Sequence, residues 1–374
     1  MIQAGSPDAT VFAVEDTTAQ ICWKSLPAGT VLGAGDATVE VVGHDVPGAA
    51  VLEGLPADRQ LDLHVTRPGR AAERQAAFAT LAPPPGDELC RFATVNDVHV
   101  GERHFGLLGT LRERGPDQTY AARCLAAALA EAQAWGAQAV VAKGDLTCHG
   151  TAPEWAVAAR LLGALPVPVA AVVGNHDVMR GAIDGRPALT GAGVVVADQP
   201  FHLDLPGIRL VLAHTAVARR SHGRIGRAQR DLVTDLVAAA PGPAYVGMHH
   251  YLPRLPIPLG YPPGVIGRGA GALLDALAAA NPATIVSAGH SHRNRLRRHG
   301  PLVVTQIGAT MHYPGVWAGY VVHEGGIRQV VRRVAEPSAI AWTEHSGRAL
   351  LGAWRPWAAG LRSHRCFTHL WPTR

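Results

Sequence analysis

Residues 138–150 read QAVVAKGDLTCHG. The short apolar run from Ala139 to Ala142 ends, past Lys143, at a glycine, and a strand buried on both faces has this pattern. The Ala-rich segment before it, 120–135, repeats apolar residues at spacings of three and four and reads as a helix. A second helical segment, 154–162, follows. Helix, strand, helix is the alternation of a layered α/β domain. It continues in both directions along the chain. Strands are expected at 92–96, 169–173, 210–213, 245–248 and 284–287, with helices at 228–239 and 272–280. Segments 302–307, 319–323 and 327–331 read as closing strands. The α/β region so defined spans 85–335.

Residues 1–84 have a different texture. Ile21 and Trp23 alternate with Gln20, Cys22 and Lys24, and 37–42 and 61–65 alternate likewise. Turn residues at Ala28 and Gly29, at 33–36, and at Pro68 and Gly69 separate these stretches. No helical spacing appears, so a small all-β sandwich is predicted. Pro83, Pro84, Pro85 and Gly86 form a short stiff linker. Residues 336–374 carry Trp342, Trp354, Trp357 and Trp371, with helical spacing around 347–361. Exposed indoles are costly, so this tail is expected to pack on the body.

The 374 residues are 48% hydrophobic and 17% charged, enough for a sizeable core and incompatible with a disordered polymer. Glycine (42) and proline (28) show no period, which excludes collagen. Lys24 and Lys143 are the only lysines, and the abundance of arginine reads first as codon bias. A net charge of +5 mildly favours anionic ligands. Cys22, Cys90, Cys124, Cys148 and Cys366 are odd in number, widely spaced and without a CxxC, which argues against a disulfide framework and a thiolate zinc site. The first eight residues show no basic stretch leading into an apolar run, so no signal peptide is expected. The longest apolar stretch, 161–174, is too short for a bilayer and is broken by Pro166 and Pro168. A cytoplasmic protein without a membrane partner is the expectation.

Reactive residues recur where the expected strands end. Strand 92–96 runs into Asp97, Val98 and His99, and 139–142 runs into Gly144 and Asp145. Strand 169–173 runs into Gly174, Asn175, His176 and Asp177. Strand 245–248 runs into His249 and His250, and 284–287 into Gly289, His290, Ser291 and His292. Open α/β sheets bind ligands at the carboxyl ends of their strands. Five segments distant in sequence therefore converge on one rim. Carboxylate with imidazole suits Fe, Mn, Zn or Co better than Ca or Mg. Two aspartates, one asparagine and four histidines are too many for one tetrahedral zinc. They suit two ions sharing a carboxylate, and a pair about 3.5–4 Å apart clamps a phosphoryl group for in-line attack.

In chain order the segments read DxH, GDxxxxG, GNHD, H and GHxH. This ordered set resembles the calcineurin-like metallophosphoesterases over roughly residues 88–335. The resemblance implies a four-layer α-β-β-α sandwich and a metal-dependent phosphoric ester hydrolase. It implies two divalent or trivalent ions (Fe, Mn, Zn or Co). Asp97, His99 and His292 would hold the first, Asn175, His249 and His290 the second, and Asp145 would bridge them. A bridging hydroxide would attack in line. His176 would stabilise the transition state or protonate the leaving oxygen, and Asp177 would orient His176. Purple acid phosphatases, relatives of that family, carry a tyrosine ligand where Cys148 stands, so no tyrosinate–iron colour is expected and Cys148 reads as a packed thiol. Residues 1–84 resemble a fibronectin type III domain. Trp23 stands at the buried tryptophan of its second strand, and Gly54, Leu55 and Pro56 at its E–F corner, with Leu61 where tyrosine is usual.

Other residues carry two readings. His250 either supports His249 or is merely packed. Arg180 either grips a phosphate bidentately or is a loop arginine in solvent. His104, His222 and His312 lie in loops that line the pocket and set specificity, or are ordinary loop histidines. Arg293, Arg295, Arg297 and Arg298 read as a solvated strand edge ahead of a nucleic-acid track, so nucleic acid is not an expected partner. The GNHD form, the GDLT of the second motif, the paired His249 and His250, and residues 362–367 resemble a bacterial branch. That branch holds class III cyclic-nucleotide phosphodiesterases and glycerophosphodiesterases. The motif loops carry no dense arginine cluster, which favours a diester monoanion over a monoester dianion. The expected activity is a dinuclear phosphodiesterase acting on a small phosphoester. A phosphomonoesterase on the same site is the alternative, followed by a nuclease. A non-catalytic scaffold would predict eroded ligands, and none of the inferred ligands is missing. The N-terminal sandwich is expected first as a cap closing one side of the cleft, then as a docking or homodimer surface.

Overall fold

The structure is a computed structural model and describes residues 8–106, 109–113, 119–255 and 262–372. The segment read for a signal peptide, 1–7, lies outside the described residues. The chain starts with seven strands: β1 (Ala9–Val14), β2 (Ala19–Trp23), β3 (Val31–Ala34), β4 (Ala37–Glu40), β5 (Gly48–Leu52), β6 (Gln60–Thr66) and β7 (Glu73–Ala79). They form two antiparallel sheets, β1-β2-β5 and β4-β3-β6-β7. Ile21, Leu32, Leu52, Leu63, Val65 and Phe78 fill the space between them. The period-two alternation of β6 follows from this, since Leu63 and Val65 point into the core while their neighbours are half-buried.

Next come β8 (Glu88–Val95), a short hairpin of β9 (His104–Phe105) and β10 (Leu111–Arg112), α1 (Tyr120–Ala134), β11 (Val140–Lys143), α2 (Ala152–Gly163), β12 (Val169–Val172) and α3 (Arg186–Gly191). Then follow β13 (Phe201–Leu205), β14 (Ile208–Ala213), α4 (Arg227–Ala238), β15 (Ala244–Met248), α5 (Gly269–Ala280), β16 (Thr284–Ala288), β17 (Arg295–His299), β18 (Leu302–Gln306), β19 (Val316–His323) and β20 (Gly326–Arg333). The tail supplies α6 (Pro337–Ser346), α7 (Trp354–Ala359), α8 (Arg362–Arg365) and β21 (Phe367–Leu370).

Two six-stranded mixed sheets result, β12-β11-β8-β19-β20-β21 and β13-β14-β15-β16-β18-β17. In the first, β8, β11 and β12 are parallel; in the second, β14, β15, β16 and β18 are parallel. Helices α1 and α2 cover the outer face of the first sheet through Leu125, Leu129, Trp155 and Leu162. Helices α4 and α5 cover the second through Val233, Val237, Leu273 and Leu277. The inner faces meet through Phe92, Val141, Val172, Leu210, Tyr245 and Ile285. This is a four-layer α-β-β-α sandwich behind a small all-β region. Strands sandwiched between a helix layer and a second sheet have no wet face. That is why β11 and β12 are buried at every position and show no alternation.

Two contacts set the spacing of the sheets beneath the ligand-bearing ends. Phe92 stacks on Tyr320 at 4.7 Å and meets Tyr245 edge-on at 5.1 Å. Lys143, wholly buried, donates from Nζ to Ser287 Oγ of the opposite sheet at 2.8 Å, and Ser287 meets the Tyr320 hydroxyl at 3.1 Å.

The periodicity argument does not anticipate β13, β17, β21 and α6. β17 reads RLRRH and carries no apolar alternation; its hydrogen bonds to β18 make it a strand. β21 likewise forms by pairing with β20. In the tail, α6 starts ten residues before the expected helical patch, and Trp342 stacks on Tyr120 of α1 at 3.9 Å. The indole N–H groups of Trp342, Trp354 and Trp371 donate to the carbonyls of Met311, Tyr313 and His323. The N-terminal sheets dock on β20 and the tail. Gln20 exchanges two 2.8 Å hydrogen bonds with the Arg333 backbone, Glu15 pairs with Arg328 and Arg332, and Arg365 donates to Phe12 O at 2.9 Å. No helix among the described residues is long and apolar enough to cross a membrane.

Candidate metal centre

The parallel strands of both sheets point their C-terminal ends at one rim. β8 delivers Asp97 and His99, β11 Asp145, β12 Asn175 and His176, β15 His249 and His250, and β16 His290 and His292. The turns that present these groups are strained. Ten described non-glycine residues have φ between +49° and +66°, and five of them are Asp97, His99, Asp145, His290 and His292. Side chains avoid this left-handed region unless surrounding bonds impose it. Here they do: Val98 and His99 N both donate to Asp145 O, Asp97 N to Gly144 O, and Gly289 N to His249 O. His290 N donates to both oxygens of Asp97 at 2.9 Å, and His176 N to Asp145 Oδ1 at 2.8 Å. Two glycines permit the approach. A Cβ at Gly174 would stand 2.3 Å from Asp145 N, and one at Gly144 (φ +82°) 2.8 Å from Gly174 N.

Neighbouring groups fix how the histidines point. His249 Nδ1 lies 2.9 Å from Lys143 O, which accepts only a proton, so the lone pair is on Nε2. His290 Nε2 lies 3.1 Å from Pro263 O, which puts its lone pair on Nδ1. These two lone pairs face each other at 3.1 Å, with Asn175 Oδ1 at 3.1 Å and Asp145 Oδ2 at 3.3 Å from His249 Nε2. The tautomers follow from the carbonyl partners. The same logic runs through His292. His312 Nδ1 faces Tyr313 O at 3.2 Å, so its bare Nε2 accepts from His292 Nδ1 at 2.6 Å. His292 Nε2 is then left to face Asp97 Oδ1 at 3.4 Å. His99 is buried, Nδ1 has no partner, and Nε2 only approaches Asp145 Oδ2 at 3.5 Å, without a hydrogen bond.

With His249 neutral, four acceptors converge without a proton between them, beside an unpartnered buried imidazole, and need a cation. Three groups at this rim have geometry suited to a metal ion: Asp97, His99, Asp145 and His292; His249, His250 and His290; and His99, Cys148 and His176. The donor set of carboxylate, amide oxygen and imidazole fits first-row transition ions. The electrostatics agree. Burial pushes the carboxyls of Asp97 and Asp145 up, but His292 beside the first and His249 beside the second hold both well below the usual range. Burial opposes charge on His249, yet the Asp145 carboxylate raises it to about 9, while burial and His249 push His290 down to about 3. Without metal, one proton occupies the place of a cation.

The remaining expected residues are distributed differently. His176 lines the cleft; its Nδ1 meets Cys148 O at 3.0 Å, leaving Nε2 free of protein partners. Asp177 does not touch His176. Its carboxylate accepts from Leu146 N, Thr147 N, Thr147 Oγ1 and Gly174 N, so it ties the second motif to the third. Burial and the Asp145 charge push Asp177 up to about 6. His250 is buried behind the rim, its Nδ1 2.9 Å from Thr215 Oγ1 and its ring 4.4 Å from that of His290. His312 is wholly buried and serves His292 rather than the cleft surface. Arg180 is exposed, His104 is on the exposed hairpin, and His222 is half-buried against Gly223 O; none of the three lines the cleft. Cys148 donates to Glu102 Oε2 at 3.0 Å, and burial with that carboxylate pushes its thiol far above the ordinary value. Arg293 stacks over Trp357 at 4.9 Å, and Arg297 donates to Leu252 O, so the arginine run is partly spent inside the fold.

The cleft above the centre has a volume of about 530 Å³. Asp145, Asn175, His176, His290 and His292 form its floor, and Leu350, Ala353, Trp354 and Trp357 of the tail form a wall. No residue of β1–β7 lines it, so the N-terminal sheets do not close one side of it as expected. The tail does. The wall was not recognisable from the chain, since no local spacing links it to the motifs; His312 was a candidate there, but its place behind His292 was not.

A family model described as calcineurin-like phosphoesterase matches residues 90–294. The glycerophosphodiester phosphodiesterase GpdQ of Enterobacter lignolyticus (strain SCF1) is 28% identical over 178 residues, 46% of this chain and 63% of that protein. The chain thus matches less than two thirds of that relative's length. Among solved structures, PhoD aligns at TM-score 0.45 and 8% identity, covering 89% of this chain and 88% of that one. The purple acid phosphatase PPD1 of yellow lupin aligns at TM-score 0.45 and 11% identity, covering 88% and 73%.

Proposed function

Because the chain belongs to the calcineurin-like phosphoesterase family, we propose that it is a metal-dependent phosphodiesterase acting on a small phosphodiester. The convergence of the His249 and His290 lone pairs with Asn175 Oδ1 and Asp145 Oδ2 carries this reading. Asp97, His99 and His292 would hold one ion, Asn175, His249 and His290 would hold a second, and Asp145 would serve both. When bound, two such ions neutralise phosphoryl oxygens and acidify water for in-line attack. The chain's own residues do the rest. Lys143 O, Pro263 O and His312 orient the ligating rings, and carbonyl partners of this kind sustain metal affinity. His176 is held by Cys148 O through Nδ1 with Nε2 free; with Nε2 also protonated, as an imidazolium, it can hydrogen-bond a phosphoryl oxygen or protonate the leaving alcohol.

A diester is favoured because no lysine or arginine among the described residues lines the cleft. A monoester dianion calls for more cationic partners than a monoanion does. The GpdQ match supports the same direction. The strand order of β1–β7 supports a fibronectin type III-like module that braces β20 and the tail rather than the cleft. The test is elemental analysis of protein purified without chelator, with turnover of bis(4-nitrophenyl) phosphate and 4-nitrophenyl phosphate in Mn²⁺. About two ions per chain and diester turnover abolished in Asp145→Ala are expected. Turnover of the monoester alone would make the protein a phosphatase. Folded protein with neither metal nor turnover would refute the enzyme reading.

A further inference from the structure

We propose that the tail wall is a specificity site for phosphoesters whose ester group is neutral, apolar and flat, an aryl group being the simplest case. This rests on the phosphoester reading above and names what the second half of the substrate looks like. The floor of the cleft is the metal centre, which has use only for the phosphoryl group. The wall of Leu350, Ala353, Trp354 and Trp357, with Pro262 and Pro263, must meet something else.

A line of rings leads out from the centre to this wall. His292 to His312 is 4.7 Å between ring centroids, His312 to Trp354 5.4 Å, and Trp354 to Trp357 4.9 Å. An ester group attached to a phosphorus over the floor therefore arrives beside indole faces. The wall is also left incomplete by the fold. Leu350 and Leu351 both have positive φ, 51° and 55°, a backbone state that leucine avoids. Leu350 is 54% exposed and Leu351 fully exposed, so neither gains burial in return. Strain and exposed apolar area at the mouth of a cleft mark a surface completed by a ligand.

The wall's chemistry narrows the ligand. Apart from the floor, its polar side-chain groups are the Ser221 and Ser291 hydroxyls and the Trp354 and Trp357 indole N–H groups; Ser291 Oγ already donates to Gln306 Oε1 at 2.7 Å and Trp354 Nε1 to Tyr313 O at 3.0 Å. A glyceryl group would bring two hydroxyls to this mainly apolar surface, where they find fewer partners than in water, and that costs affinity. A quaternary ammonium would find indole faces, but the Arg293 guanidinium already lies 4.9 Å over Trp357 and repels a second cation. A neutral ring suffers neither penalty and stacks favourably on indole.

The test uses the Mn²⁺-loaded full chain and three methylphosphinates in which a methylene replaces the ester oxygen, so that no P–O–C bond is left to cleave; they mimic the phenyl, glyceryl and choline esters and are named for them. Affinities come from calorimetry and from quenching of tryptophan fluorescence, so turnover is not needed. The phenyl ester should bind about tenfold or more tighter than the other two. Trp357→Ala should collapse that ratio towards one and remove most of the quench. Leu350→Asn, which suits the positive φ and leaves the indoles in place, should shrink the ratio without removing the quench. Equal affinities for all three esters would overturn the wall and leave the phosphoester reading standing. Tightest binding of the choline ester would overturn it in favour of a cation cage. If no phosphinate binds the metal-loaded protein, the phosphoester reading fails and takes this inference with it.

Discussion

Replacing His312 by phenylalanine tests whether the ligand tautomers are set from behind. His312 is wholly buried, and its ring lies 3.9 Å from Phe105, so a phenyl ring of similar size keeps the packing. What is lost is one acceptor, the Nε2 that takes the His292 Nδ1 proton at 2.6 Å. His292 then has no reason to keep its lone pair on Nε2, facing Asp97. Outer partners of metal-bound histidines are generally worth about 10–100-fold in affinity. The His292 side chain is 19% exposed, so water can partly replace the lost acceptor. That places the effect near the lower end, about tenfold, or about 1.4 kcal/mol. Competition with a chromogenic chelator resolves the two binding steps. One step should weaken by about that amount in His312→Phe, and the step governed by Asn175, His249 and His290 should not move. His312→Gln, which can accept again, should recover most of the loss. Unchanged affinity at both steps in His312→Phe would refute the orientation argument. Failure of the glutamine to rescue would show that His312 acts through packing alone.

Three further outcomes are expected. His249 is raised to about 9 in the metal-free protein, so its proton must leave when metal binds. Apparent metal affinity should rise about tenfold per pH unit below that value and level off above it, with about one proton released per chain at neutral pH. Calorimetry in two buffers of different ionisation enthalpy measures the release. His176→Ala should keep its metal but lose about 10²–10⁴-fold in turnover of an alkyl diester, and far less with a 4-nitrophenolate leaving group; equal losses on both would remove the proton-donor role. Lys143 is pushed down to about 7 by burial, so between there and its ordinary 10.5 the unfolded chain binds more protons than the folded one. Metal-free protein should therefore gain stability as pH rises through that window. Lys143→Met should flatten the gain and raise the melting temperature most below pH 7 (urea or thermal melts).

The rim was legible because each ligand follows a buried strand directly. An apolar run such as 139–142 closed by glycine states that the next residue stands at a sheet edge, and five such edges in an α/β pattern share one side of the layer. Strands held by their partners were poorly legible from apolar pattern: β17 was marked only by its arginine run, β21 by nothing, and both exist through the backbones of β18 and β20. The role of Asp177 was misassigned for a related reason. Adjacency to His176 suggested contact, but the 3-10 turn at His176–Val178 sends the two side chains apart, one to Cys148 O and the other to the amides of 146, 147 and 174.

Local chemistry in the chain was therefore enough for the layer architecture, the order of the motifs and the identity of the groups at the rim. Strand burial and turn residues are short-range signals, and the sheet's geometry converts them into one edge. The tertiary structure alone decided which atoms of those groups carry lone pairs, since that depends on Lys143 O, Pro263 O and His312, each brought from elsewhere. It also decided what closes the cleft. The N-terminal sheets bind to β20 through Gln20 and Glu15, while the tail folds back over the rim because three of its indoles find carbonyls there and on the body. Such contacts join residues from tens to hundreds of positions apart, and no spacing within the chain encodes them.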